Sequence, residues 1–184
     1  MRHESILEPP GLARVTVLQG QVHVSGMPNV EMSTVLGSCV ATCLYDPEAQ
    51  AGGLNHFLLA EPPSHRSTGE FDEHYGVYLM ELLINNMLTE GASKKRMRAH
   101  LYGGANLHAG MTRIGTVNAN FAREFLAREG IPLVREDLGG INARRVHFRP
   151  ADGKVRCRTV ENNLAPDVRP ITRPERATGD VELF

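Results

Sequence analysis

Apolar positions along the chain follow two rhythms, and the change from one to the other marks its elements. Between residues 14 and 59 the apolar runs are short and rich in β-branched side chains: Val15-Thr16-Val17-Leu18, Gln21-Val22-His23-Val24, residues 32–36, Val40-Ala41-Thr42-Cys43-Leu44-Tyr45 and Leu54-Asn55-His56-Phe57-Leu58-Leu59. Bounded by Gly-Ser, Asp-Pro and Gly-Gly, such runs predict strands. Val77, Met80, Leu83, Ile84, Met87 and Leu88 then recur at three- and four-residue steps, which predicts an amphipathic helix capped by Gly91. Residues 97–102 predict a further strand ending at Gly103-Gly104, and 116–129 a second helix with Val117, Phe121 and Phe125 on one face. Gly130 ends that helix and Pro132 forbids its continuation. Leu133-Val134, residues 145–148 and residues 155–160 return to the strand pattern, the last two joined by the hairpin signal Asp152-Gly153. The expected fold is α+β: a mixed α/β sandwich of β-sheets backed by two main helices.

The same pattern divides the chain. Residues 1–13 read as an N-terminal arm, 14–160 as the one domain, and 161–184, punctuated by Pro166, Pro170 and Pro174, as a polar C-terminal tail. Apolar residues make up 41% of the 184 and charged residues 22%, so the domain can bury a core. A net charge of -1 and the absence of Trp argue against nucleic acid as a partner. No apolar run approaches the roughly 18 residues of a spanning helix, and the start of the chain lacks an apolar signal core. We therefore expect a cytoplasmic protein without membrane insertion, in which the three cysteines, too few and odd in number for a disulfide framework, stay reduced.

Cysteine usage turns the reading toward chemistry. Cys39 follows Gly37-Ser38 at the start of an apolar strand, an element boundary where a thiol can meet a substrate. A small buried hydrophobe is the commoner fate of such a residue. Cys43, mid-strand, and Cys157, in the last hairpin, read as packing residues. His56 alternates with Leu54 and Leu58 in an apolar strand, where an imidazole costs desolvation unless a partner satisfies it. A backbone carbonyl would suffice as that partner. No Cys-x-x-Cys or His-x-x-x-His spacing points to zinc, and Gly103-Gly104 and Gly139-Gly140 lack the spacing of phosphate-binding loops. Glu136 and Asp137 do not form an acid/base pair, because adjacent strand residues face opposite ways.

Six segments in order resemble the chemoreceptor glutamine deamidases of the CheD family: residues 33–41 (Ser33 to Ala41), 52–59, 75–86, Gly103-Gly104-Ala105-Asn106, Asn118, and Glu136-Asp137-Leu138-Gly139-Gly140. They span about residues 14–160. The resemblance implies a fold like that of toxin-type cysteine deamidases and a Cys-His-hydroxyl triad. Cys39 would be the nucleophile, His56 the base, and Ser33 or Thr34 the orienting hydroxyl. It implies deamidation of glutamine to glutamate on methyl-accepting chemotaxis receptors through a cysteine thioester, with no cofactor, and extension of the same chemistry to receptor methyl esters. It also implies a CheC-type phosphatase as a second partner. The alternative is a non-catalytic chemotaxis adaptor that binds receptors or that phosphatase through the 77–88 helix; a third reading is a general thiol hydrolase of small amides. One geometric demand follows. A hairpin pairing Tyr45 with Gly53 sets Cys39 opposite Leu59, so a bend near 37–39, or strands in two different sheets, is needed to bring thiol and imidazole together.

Overall fold

The computed structural model describes residues 11–59, 74–107 and 113–166. Among these residues nine strands and two α-helices follow in the order β1 (Ala13–Thr16), β2 (Val22–Ser25), β3 (Val30–Leu36), β4 (Val40–Asp46), β5 (Ala51–Phe57), α1 (His74–Thr89), β6 (Arg98–Gly103), α2 (Ile114–Glu129), β7 (Leu133–Leu138), β8 (Ala143–Arg149) and β9 (Lys154–Val160). They build a four-stranded sheet in the order β1-β3-β8-β9 and a five-stranded sheet in the order β2-β5-β4-β6-β7. Both are mixed, since β1 runs parallel to β3 and β6 parallel to β7 while the other pairs are antiparallel. The architecture is the α+β sandwich expected, with both helices against the five-stranded sheet.

Two apolar cores explain the strand compositions. Met32, Leu36, Val146 and Phe148 of the four-stranded sheet meet Ala41, Cys43, Leu54 and Tyr102 of the five-stranded one. The opposite face of that second sheet, with Val40, Leu44 and Phe57, packs on Leu79, Met80 and Leu83 of α1 and Phe121 and Phe125 of α2. A sheet covered on both sides needs nearly continuous apolar strands, and every residue of β5 is buried. In β3 only alternate side chains are inward, which leaves Glu31, Ser33 and Val35 on the outer face. Gly76 lets α1 pack closely on its neighbours: a Cβ there would lie 2.5 Å from Leu59 and 2.7 Å from the Phe121 ring.

The limits of the elements differ from the sequence expectation in informative places. The first strand covers Ala13–Thr16 and does not extend through Val17-Leu18, because the chain leaves the sheet there to drape over β5. The β4–β5 hairpin pairs Tyr45 with Gly52, one residue from the expected register. Asp46 causes the shift: its carboxylate accepts from the Glu48 and Ala49 amides at 3.0 and 3.2 Å. The tight turn that results closes through Gln50 at φ 50° and pairs Asp46 directly with Ala51. The second helix begins at Ile114, two residues ahead of the expected start. Of the arm and tail, residues 1–10 and 167–184 lie outside the described residues; the described start of the tail forms a short 3-10 turn at Asn162–Leu164.

Candidate active site

Because β3 and β4 belong to different sheets, Gly37-Ser38-Cys39 is the crossing between them. Three consecutive carbonyls of this crossing are held. Ala105 N–H donates to Gly37 at 2.9 Å, the Asn118 carboxamide to Ser38 at 2.9 Å, and Gly104 N–H to Cys39 at 2.8 Å. Gly103 and Gly104 make the approach possible. Their φ angles are 106° and 63°, a region that other residues adopt only at a cost. A Cβ on Gly103 would overlap the Cys39 carbonyl. Asn118, fully buried in the first turns of α2, also accepts from Leu59 N–H at 2.9 Å. One carboxamide thus ties the Cys39 crossing to the segment just beyond β5.

His56 lies opposite Ala41 in the β4–β5 ladder. Cys39, two residues before Ala41, lies diagonally across the ladder from His56, a separation that the longer imidazole side chain helps to span. Thr34 reaches the imidazole from the other sheet, its Oγ1 2.9 Å from His56 Nδ1. The threonine hydroxyl has one hydrogen, and it is donated to the Val17 carbonyl at 2.7 Å. At the imidazole the oxygen must therefore accept, which fixes the proton on Nδ1 and the lone pair on Nε2. The Val17 carbonyl, 3.5 Å from Nδ1, also favours that tautomer. His56 Nε2 is buried and has no hydrogen-bond partner among the described residues. An orphaned basic nitrogen in a core costs stability unless something uses it.

A roof covers these groups. Gly20 N–H donates to the His56 carbonyl at 2.7 Å, and His56 N–H to the Gln21 carbonyl at 3.1 Å, so the turn between β1 and β2 is bound to both sides of the histidine. Within this turn Gln19 rests its carboxamide oxygen 3.8 Å from Cys39 Sγ. Cys39 is 4% exposed and His56 1%. Burial pushes the Cys39 thiol up to about 12, against the opposing pull of its own backbone N–H. Burial likewise pushes His56 down to about 4, against the Val17 carbonyl that favours its charged form. At neutral pH the resting pair is thiol and imidazole, both uncharged.

Of the residues singled out from sequence, Thr34, Cys39 and His56 gather at the interface between the sheets. Ser33 sits on the outer face of β3, across from Thr16 and His147. Glu136 and Asp137 part as expected, the first to Arg123 and the second to Arg144. Cys43 is buried in the core and Cys157 packs at its edge. Gln19 and the Val17 carbonyl carried no sequence signal.

The α+β sandwich thus buries a thiol, an imidazole and a hydroxyl acceptor between its sheets, residue types that thiol chemistry uses. Residues 58–159 match the family model described as CheD chemotactic sensory transduction. A Zymomonas mobilis protein named "Probable chemoreceptor glutamine deamidase CheD" is 53% identical over 175 residues, covering 93% of this chain and 92% of its own length. The Caulobacter vibrioides protein of the same name is 48% identical over 181 residues, 96% of each chain. The chain belongs to the CheD family. The family-model match begins two residues beyond His56.

Proposed function

We propose that this protein hydrolyses the side-chain amide of specific glutamines on chemoreceptors, with Cys39 as nucleophile, His56 as base and Thr34 as the orienting hydroxyl. The observation that carries the reading is the unpartnered Nε2 of His56, whose lone pair is enforced by the Thr34 and Val17 contacts on Nδ1. The names of the relatives supply the substrate class.

The chemistry follows from the resting charges. With thiol and imidazole both neutral, the sulfur cannot wait as a stored thiolate. Its proton passes to Nε2 as Sγ attacks the carboxamide carbon, a general-base step. The oxyanion forms beside Sγ, where the Cys39 N–H already faces, and that amide is its donor. Imidazolium then protonates the departing nitrogen, ammonia leaves, and a thioester joins Cys39 to the substrate. Water, deprotonated by neutral His56, opens the thioester to give glutamate and regenerate the thiol. Thr34 accepts the Nδ1 hydrogen throughout and steadies the imidazolium.

Acid quenching during turnover of a receptor cytoplasmic fragment tests the reading. Mass analysis is expected to find the fragment linked to the Cys39 peptide through a bond that hydroxylamine cleaves. Conversion of glutamine by the wild type with no such adduct at any quench time contradicts the covalent route.

A further inference from the structure

Alternation along β3, β8 and β9 sorts the charges of the four-stranded sheet. Phe148 and Val146 point inward, so Arg145, His147 and Arg149 point outward, and the ladder sets them beside Arg158, Arg156 and Lys154. Five Arg and Lys side chains thereby share one face, with Glu31 and Asp152 as its carboxylates among the described residues. Asp152 is 3.5 Å from Arg149 and 3.4 Å from Lys154. Glu31 is buried, 3.0 Å from Arg156 and 3.1 Å from His147. Arg145 and Arg158 face no carboxylate among the described residues. The whole chain carries 20 Lys and Arg against 21 Asp and Glu, so this surplus of positive charge is matched by negative charge elsewhere.

We infer that this outer face docks an acidic segment of the substrate protein flanking the target glutamine. Glu31 shows the recognition in miniature: burial raises its carboxyl, but the hydrogen bonds from His147 and Arg156 outweigh that and hold it below the usual carboxylate range. Guanidinium forks suit carboxylates well. Arg145 lies opposite Val35, at the end of β3 that runs into the Cys39 crossing, so a segment anchored on Arg145 and Arg158 lies at the nucleophile's end of the sheet. Deamidation leaves a carboxylate, and neighbouring modified positions on the same segment supply more. The identity of the segment rests on the proposed function; the charge of the partner does not.

The test compares wild type with Arg145→Glu/Arg158→Glu and the milder Arg145→Gln/Arg158→Gln, on a receptor cytoplasmic fragment. Both pairs are exposed enough to keep the fold, which thermal unfolding checks. Charge reversal is expected to raise KM about tenfold with kcat nearly unchanged, neutralisation to raise it less, and added salt to weaken wild type more than either variant. In parallel, binding of the fragment to the Cys39→Ala protein, with and without the reversals, reads docking without turnover. If wild type converts no glutamine, the activity reading fails while the binding arm still decides the docking. Unaltered KM, binding and salt dependence in both variants overturn the proposal. So does a loss confined to anionic phospholipid vesicles or duplex DNA.

Discussion

At the scale of single residues, the proposed chemistry turns on which nitrogen of one imidazole carries the lone pair. Thr34 Oγ1 can only accept from Nδ1, because its hydrogen is spent on the Val17 carbonyl. Thr34→Val removes that acceptor and lets the other tautomer form. We expect kcat to fall about a hundredfold in steady-state assays, whereas Ser33→Ala, on the outer face of β3, leaves kcat within about twofold. The sequence left the two hydroxyls open, yet it held a signal: Thr34 shares parity with Met32 and Leu36, the apolar side of the strand. The imidazole also sets the acid limb of activity. Burial lowers His56 to about 4, so the base remains available well below its ordinary range. kcat/KM is expected to hold as pH falls through 6 and to drop only near 4; a midpoint near 6.5 contradicts a buried, neutral base. Gln19 is the group over the sulfur. Gln19→Ala is expected to speed alkylation of Cys39 by iodoacetamide severalfold, read by peptide mass analysis, with Cys43 in the core unchanged.

Elements place these residues, and here the sequence was readable in kind more than in limits. The apolar periods announced the strands and both helices, and the resemblance singled out Cys39 and His56, which the fold buries between its sheets. What they could not announce was contact across sheets. Asn118 holds the Ser38 carbonyl and the Leu59 amide at a sequence distance of 80 and 59 residues, and nothing local marks such a brace. Asn118→Ala leaves two buried groups unsatisfied, at a cost of about 1–3 kcal/mol each. Chemical denaturation should show that loss together with a fall in kcat larger than any change in KM, since the variant loosens the nucleophile more than the substrate surface. The hairpin register was also beyond reach, because it depends on Asp46 turning back on its own turn rather than on the strands it joins.

For the whole molecule, Asp46 and His56 are two of the buried groups that carry acid sensitivity, and their contributions have the same sign. Asp46 is buried with Arg96 at 2.8 Å and accepts from Ser93 N–H at 2.8 Å. Burial raises its carboxyl, but the bonds from Arg96, Ser93, Ala49 and Glu48 prevail and bring it down to about 2. Its contribution is present above the ordinary carboxyl range and is lost as pH falls toward 2. His56 adds to the loss between its ordinary value and about 4, where the unfolded chain takes up a proton that the native site refuses. Asp46→Ala is expected to cost about 3 kcal/mol near neutral pH and to flatten the acid end of the stability profile, both measured by denaturant titration at several pH values. The most direct measurement of the central claim is peptide mass spectrometry of a receptor cytoplasmic fragment after incubation with wild type, Cys39→Ala and His56→Ala, each checked for folding. Wild type should convert chosen glutamines to glutamate while both variants leave them as they were; undiminished conversion by the Cys39→Ala protein contradicts the account.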